Sequence, residues 1–392
     1  MKMGVLSKYI LFFPLIFFLL FSSTEFFLLL RHKSPYVSDS YFYQHIYYTF
    51  QGDTFEKAYA KTLSQIDLAK VDLIERNFYL NQDRYQDSLR FFTKRPLYPF
   101  LAYISNLLVQ SNYVSFLLPV FGSFVGCIAL VYYLSLRSKV IFLAIYTTVG
   151  LLLFYPFLDW STYFLTDTIG TFFWLLQLIF IYHAFRTHKS WWFWMYGVVL
   201  MIALLNREQS FLMVLFFGIL GFLFGIFSYA KKLKYLARLG FILSLIISLM
   251  YIFIMGVTGQ KTLFDTLVYT QNNYGLYSNN YSFFETVSYL MHSIARSHLG
   301  FFKDLTTHHW WFVHVVFGVL GIVFVYFKKR GRPTLLDQIM LASGLASYAA
   351  IFLYPVLSYR YFIPVVVTLL FFSAQAVYVF CVPNINLDEN KK

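Results

Sequence analysis

Long apolar runs recur from one end of the chain to the other, separated by short polar segments. A helix needs about 20 mostly apolar residues to cross the hydrocarbon core of a bilayer. Runs near that length predict helices at 9–30, 113–135, 140–156, 168–185, 191–205, 209–229, 239–258, 310–327, 336–354 and 361–382. The pattern therefore predicts an all-α polytopic membrane protein with about ten transmembrane helices, forming a single transmembrane domain over residues 1–392. The short alternating segments of a transmembrane β-barrel do not occur in the sequence.

One apolar run, 97–110, is too short to cross easily, and the basic residues decide its placement. If it does not cross, 16 Lys and Arg residues fall in short segments on one side of the membrane. The other side then holds few outside the long loop 31–112, namely Arg207, Lys261, Arg296, Lys303 and Arg360. Lys and Arg gather in short cytoplasmic loops. This predicts cytoplasmic termini and a 97–110 run that lies on the outer face or dips into the membrane without crossing it.

Two external loops follow from this layout, at 31–112 and 259–309. Within the first, the run 55–80 has apolar residues near helical spacing, which predicts an amphipathic helix at the membrane surface. The second is rich in Asn, Tyr, Ser and His and carries little charge. Both loops are long enough to cover a site at the outer ends of the spans.

Composition agrees with a membrane protein and excludes several other classes. The chain is 59% hydrophobic and 12% charged, whereas a soluble domain has about twice that share of charged residues. The net charge of +13 does not indicate nucleic acid as a partner, because the basic residues lie in the short cytoplasmic segments. The two cysteines lie in apolar spans, and the sequence has no nucleotide-binding or serine-hydrolase motif.

Candidate chemistry lies at the outer mouths of the predicted spans. Taken singly, an acid there can cap a helix, and an arginine can reach the lipid headgroups. Together the residues can converge on one cavity at the water–lipid boundary, where carboxylates accept a proton or hold a divalent ion and arginines hold a phosphate. The candidates are Asp39, Arg95, Tyr98, Asp159, Asp167, Arg207, Glu208 and Arg360.

Five short motifs occur in a recognisable order. They are DSYFY at 39–43, RPLYP at 95–99, a proline at 156 followed by Asp167, NREQS at 206–210 and RYFIP at 360–364. In this order the chain resembles the GT-C glycosyltransferases, membrane enzymes that take a sugar from a polyprenyl-phosphate carrier. It departs from their pattern in two places. No second acid accompanies Asp39, and Leu97 replaces the second proline of an R-P-P element.

The resemblance implies an enzyme that transfers a sugar from a polyprenyl-phosphate donor to a glycan, lipid or protein acceptor. Asp39 and Asp167 would be the catalytic acids. Asp39 would be the general base or would orient the acceptor hydroxyl, and Asp167 would assist through a metal or hydrogen bonds. The remaining six candidates would bind the substrate and its phosphate, with Arg207 and Arg360 neutralising the leaving group. The resemblance leaves open whether a divalent metal such as Mg or Mn takes part, and Asp39 and Asp167 would be its ligands. Membrane lipids would surround the chain, and a bacterial inner membrane is the expected location.

Two other classes of membrane protein use similar residues. A polysaccharide polymerase or a lipid-linked glycan ligase also needs external arginines, but it does not need the early acid Asp39. A lipid-linked sugar flippase or transporter would be expected to show paired half-sequences or charges at mid-membrane depth. Neither feature occurs in the sequence.

Overall fold

The computed structural model describes residues 5–69, 71, 73–227, 229–261, 282–307, 309–328, 333–352 and 358–381. It is 85% helical, and no strand occurs among the described residues. Much of the predicted loop 259–309 lies outside them, at 262–281 and 308. The all-α prediction is confirmed.

The first third of the chain contains one long helix and five shorter ones. These are α1 (Val5–His32), α2 (Ser38–Phe50), α3 (Phe55–Leu63), α4 (Leu73–Leu80), α5 (Gln82–Thr93) and α6 (Leu97–Val109). The middle of the chain forms α7 (Asn112–Leu136), α8 (Ile141–Leu153), α9 (Tyr155–Trp160), α10 (Asp167–Thr187), α11 (Ser190–Asn206), α12 (Leu212–Ile226) and α13 (Lys231–Val257). The last part forms α14 (Phe283–Thr307), α15 (His309–Val323), α16 (Leu335–Tyr348) and α17 (Ile363–Cys381).

Seven helical segments of the described chain are long and apolar enough to span a membrane. They are Phe12–His32, Asn112–Leu136, Asp167–Thr187, Glu208–Ile226, Lys231–Val257, Leu335–Phe352 and Ile363–Cys381. The chain is thus an integral membrane protein of helical type. The predicted spans at 140–156, 191–205 and 310–327 coincide with shorter apolar helices, so the count of ten spans is not confirmed.

The helix over the 140–156 run ends early for a local reason. α8 stops at Leu153, and Phe154 has a non-helical backbone. Pro156 then stands in the first turn of the short helix α9, a position that tolerates the missing N–H of proline. This break turns the chain toward Asp159 and Trp160, which lie beside the candidate site.

The stretch 97–110 forms α6, a helix of 13 residues. At 1.5 Å per residue it is about 20 Å long, which is shorter than a bilayer core of about 30 Å. It packs on α7 and on α2. That α6 does not cross the membrane stays a prediction.

The predicted amphipathic helix over 55–80 is divided. α3 ends at Leu63, and the backbone then turns at 64–66 before α4 begins at Leu73. Asn81 starts the next helix, because its side chain accepts a hydrogen bond of 3.0 Å from the N–H of Arg84. The helical spacing of the apolar residues did not reveal these breaks, because that spacing continues across the polar residues at which the helix is interrupted.

Buried apolar side chains form two clusters. The larger one joins the long helices, with residues such as Phe124, Leu178, Phe216 and Phe371. The smaller one lies among α2 to α6 and the neighbouring ends of α7 and α10, and it is mostly aromatic. The charged candidate residues lie between segments that belong to these two clusters.

Candidate functional site: a charged cluster at the helix ends

The candidate residues sit on segment ends that meet at one place. Asp39 is in the first turn of α2, and Asp167 begins α10. Arg207 and Glu208 follow the last residue of α11. Arg360 lies in a 3₁₀ turn, Tyr359–Tyr361, just before α17, and Lys94 and Arg95 follow α5. Asp167, Arg207 and Arg360 each stand close to an end of an apolar helix.

Asp167 is buried, with 6% of its surface exposed, and its carboxylate lies beside two arginines. Its Oδ1 forms an ion pair with Nη1 of Arg207, and the Nε atom of Arg360 lies 3.9 Å away. Thr166, rather than Asp167, occupies the N-cap position of α10. The carboxylate of Asp167 is therefore used for ion pairing, and helix capping does not explain it.

The chain on either side of Asp167 and Arg207 is also linked. Nδ2 of Asn206 donates a hydrogen bond of 3.0 Å to the carbonyl oxygen of Thr166. A Cβ atom on Gly170 would lie 3.5 Å from Cδ of Arg207, so the arginine packs directly on the backbone of α10. These contacts fix the end of α11 against the start of α10.

Glu208 is the second buried acid, and it pairs with the residues after α5. Its Oε1 lies 2.8 Å from Nζ of Lys94, and its Oε2 lies 3.7 Å from Nη2 of Arg95. The Lys94 side chain is completely buried, and its Nζ also donates to the carbonyl oxygen of Lys261 at 3.0 Å. Two charges buried so deeply require each other, because an unpaired buried charge is very costly.

Arg360 joins the two catalytic candidates. Its Nη1 lies 3.6 Å from Oδ2 of Asp39, and its guanidinium group lies over the rings of Trp160 and Tyr361, at 5.0 and 4.7 Å. Burial lowers the pKa of Arg360, but the charges of Asp167 and Asp39 raise that pKa by more, so the side chain stays a cation. Its buried Nε atom has no hydrogen-bond partner among the described residues.

Exposure increases from one side of the cluster to the other. Asp167, Arg207 and Glu208 are buried, whereas the side chains of Arg360 and Asp39 are 21% and 36% exposed. The cluster has four cationic side chains and three carboxylates, so it carries one surplus positive charge. Arg207 and Arg360 balance Asp167 and Asp39, so the surplus charge comes from Lys94 and Arg95 beside Glu208. Arg360 and Asp39 are the members of the cluster with the larger exposure.

Two predicted residues lie outside this cluster. The carboxylate of Asp159 pairs with Nζ of Lys33 at 2.6 Å. Tyr98 is fully buried, and its hydroxyl donates to the carbonyl oxygen of Phe116 at 3.1 Å. Its ring packs on Tyr43, so it supports the cluster only through its neighbours. The other six predicted residues come together.

Sequence reasoning missed four neighbours of the cluster, Lys94, Trp160, Asn206 and Tyr361. Lys94 could have been found, because it adjoins Arg95 in a basic pair just before an apolar helix. Trp160 gave no signal, because Phe, Trp and Tyr make up 22% of the chain, whereas Tyr361 lies in the RYFIP motif but was not assigned a role. Asn206 lies in the NREQS motif, but its type alone did not suggest a contact with α10.

The arrangement fits a divalent metal poorly. No group of three or more His, Cys, Asp or Glu residues comes together in the described ranges. The two proposed ligands, Asp39 and Asp167, both lie beside the guanidinium group of Arg360. A divalent cation bound to them would be repelled by this arginine and by Arg207.

Comparisons with known proteins do not identify a family for this chain. The chain matches no family model, no curated protein and no solved structure. The functional conclusions therefore depend on the residues and their geometry.

Proposed function

We propose that this protein is a membrane glycosyltransferase that moves a sugar from a polyprenyl-phosphate donor to an acceptor. The observation that supports it is an arginine beside a carboxylate, both accessible, within a cluster that has one surplus positive charge. Arg360 and Asp39 are the open members, and Arg207 and Asp167 lie behind them. A phosphate leaving group and a hydroxyl nucleophile require these two kinds of partner.

The position of the cluster suits a donor with a lipid tail. Asp167 and Glu208 are the first residues of candidate spans, and Arg360 comes shortly before another. Charges at the ends of apolar helices stand at the level of the lipid headgroups. A polyprenyl chain can then stay among the apolar helices while its phosphate reaches the arginines.

The helix ends add to the attraction for an anion. α2, α10 and α17 each begin within a few residues of the cluster, at Ser38, Asp167 and Ile363. The N-terminus of a helix carries a partial positive charge, so three such ends favour a phosphate. This contribution is independent of the arginine side chains.

In the proposed reaction, an acceptor hydroxyl attacks the anomeric carbon of the sugar. The bond from that carbon to the phosphate oxygen breaks, and the oxygen keeps the electron pair. Asp39 takes the hydroxyl proton, and Arg360 and Arg207 stabilise the phosphate as its charge grows. Asp167 holds both arginines in place, which is a supporting role.

The acceptor, the membrane and the orientation belong to the same proposal. The acceptor is a glycan, a lipid or a protein, and the reaction takes place on the outer face of a bacterial inner membrane. Both termini are then cytoplasmic. The arrangement of basic residues in short loops supports this orientation.

The experiment measures sugar transfer in proteoliposomes with a panel of radiolabelled polyprenyl-phosphate sugars. Asp39→Asn and Arg360→Ala are compared with wild type. Asp53→Asn and Arg84→Ala, which change charges elsewhere in the loop 31–112, are the matched controls. We expect both cluster variants to lose transfer by about 10²-fold or more, because each removes a group acting in the transition state.

The outcome that contradicts the proposal is equally concrete. If no donor in the panel releases polyprenyl phosphate with wild type, the transferase assignment fails. If donors are consumed and Asp39→Asn keeps full activity, a polymerase or ligase is the better assignment. Movement of intact lipid-linked sugar across the bilayer, without transfer, would identify a flippase.

A further inference from the structure

Tyr361 lies next to both of the arginines that the proposed function assigns to the phosphate. The guanidinium carbon of Arg207 is 4.5 Å from the centre of its ring, and that of Arg360 is 4.7 Å from it. The Tyr361 hydroxyl also accepts a hydrogen bond of 2.5 Å from Nη2 of Arg360. Only 8% of the residue is exposed.

Two guanidinium groups beside the same ring repel each other unless other groups offset their charges. Asp167 offsets part of the repulsion, since it pairs with Arg207 and lies 3.9 Å from Arg360. The face of an aromatic ring is negative and attracts cations, so the Tyr361 ring adds a second offset. Because a guanidinium group is planar, stacking on a ring also fixes its orientation.

The ring is itself held between the two segments that carry the arginines. Nε2 of Gln209, two residues after Arg207, donates to the carbonyl oxygen of Tyr361 at 2.8 Å. The backbone N–H of Tyr361 donates to the carbonyl oxygen of Ser358 at 3.0 Å, which closes the 3₁₀ turn that contains Arg360. Tyr361 thus connects the turn before α17 with the residues after α11.

We propose that Tyr361 is a positioning residue that keeps Arg207 and Arg360 in one fixed relative orientation, so that both bind the same phosphate. This inference rests on the proposed function. The two arginines are far apart in the chain, and each is attached to a different helix end. The Tyr361 ring lies near both guanidinium groups, and the carboxylate of Asp167 lies near both as well.

The test measures binding of a fluorescent polyprenyl monophosphate to the full-length protein in nanodiscs. Tyr361→Phe keeps the ring and removes the hydroxyl, whereas Tyr361→Leu removes the ring. We expect Tyr361→Phe to bind nearly as wild type and Tyr361→Leu to bind about tenfold more weakly, because two cation–π contacts are lost. The maximal transfer rate should fall as well, while the KM for the acceptor stays unchanged.

A second measurement removes the electrostatic effect without changing the shape of the side chain. Phenylalanine with one, two or three ring fluorines is placed at position 361, which weakens the negative ring face in steps. We expect the dissociation constant to rise with each fluorine. The same series at position 196, where Tyr196 packs on Phe217 in the helix bundle, is the control and should leave binding unchanged.

The results separate this inference from the proposed function. If wild type binds no polyprenyl phosphate and transfers no sugar, the proposed function fails, and this inference fails with it. If wild type binds and transfers but the fluorine series at position 361 is flat, the positioning role alone is wrong. Equal weakening at positions 361 and 196 would also overturn it, because a general loss of stability would then explain both.

Discussion

At the scale of single residues, the Lys94–Glu208 ion pair is more deeply buried than the Arg207–Asp167 pair of the same cluster. Lys94 has no exposed side-chain surface, and Glu208 has 4%. Taking a lysine and a glutamate out of water costs several kcal/mol for each ion, and their attraction offsets this cost only at close range. The distance of 2.8 Å between Nζ and Oε1 meets that condition. The pair therefore joins the segment after α5 to the segment after α11.

We expect Lys94→Met to destabilise the protein by about 3–5 kcal/mol, because it leaves Glu208 buried without its closest cation. Lys57→Met is the control, since Lys57 is an exposed lysine 2.9 Å from Asp53, and it should cost less than about 1 kcal/mol. The free energy of unfolding is measured in mixed detergent micelles. Equal losses in the two variants would show that the buried pair contributes nothing special.

His45 makes the stability depend on pH. It is 1% exposed, its Nδ1 has no hydrogen-bond partner among the described residues, and burial lowers its pKa to about 4. In the unfolded chain its pKa is about 6.5. Between these two values the unfolded state binds a proton that the folded state does not, so stability falls as the pH drops from 6.5 toward 4. Above pH 6.5 the residue contributes no pH dependence.

The variant His45→Phe tests this, because it keeps a ring between Phe55 and Tyr85 and cannot titrate. From pH 6.5 to pH 5, wild type should lose roughly 2 kcal/mol of unfolding free energy relative to the variant. The measurement is the difference between the two unfolding free energies at a series of pH values. If this difference stays constant over that range, His45 is not the residue responsible.

At the scale of helices, close approach of backbones decides how α15 and α17 pack. Gly318 and Gly321 of α15 face the last helix, where a Cβ atom would meet backbone atoms of Leu369 and Phe372. A Cβ on Gly321 would lie 2.6 Å from the carbonyl carbon of Phe372. Backbone atoms cannot move aside as a flexible side chain can. Small residues of this kind allow membrane helices to approach closely.

Gly321→Ala is expected to destabilise the protein by about 1–3 kcal/mol, because the added methyl group separates α15 from α17. Gly225→Ala is the matched control, since its Cβ would meet nothing within 4 Å. Alanine there should be neutral or stabilising by about 0.5–1 kcal/mol, as it favours helix over glycine. Thermal unfolding of the two variants in one detergent provides the measurement, and similar midpoints would contradict the predicted close packing.

At the scale of the whole molecule, the orientation in the membrane determines which compartment the site faces. We expect Lys189 and the other basic loops on the cytoplasmic side, and Asp83 and the charged cluster on the outer side. Lys189 and Asp83 are both exposed, so cysteines at either position can react. Cys381 is exposed and is first replaced by serine, whereas Cys127 is buried.

In this background, Asp83→Cys should react with a membrane-impermeant maleimide in intact spheroplasts, and Lys189→Cys only after the membrane is opened. The reason is the excess of Lys and Arg in the short loops of one side. Labelling of both cysteines from the same side would require a different number of crossings between α5 and α11. Reversed labelling would place the charged cluster in the cytoplasm and would remove the support for an external donor.

Hydrophobic patterning alone was enough to predict the long apolar helices, because burial in lipid requires long apolar runs whatever their neighbours are. The sequence also indicated six members of the charged cluster, because they lie at the predicted ends of apolar spans or in the loop 31–112 that adjoins them. It did not reveal the break between α3 and α4, which depends on local turns. The number of spans also stayed open, because α8 and α11 are too short to be assigned from hydropathy alone.

The sequence by itself determined that this is a helical membrane protein with charges collected at helix ends. Only the tertiary structure decided which charges meet: Asp167 with Arg207 and Arg360, and Glu208 with Lys94. It also separated Asp159 and Tyr98 from them, since these pair with Lys33 and with the backbone of Phe116. The physical reason is that apolar periodicity is a local property of the chain, whereas an ion pair depends on how distant segments pack.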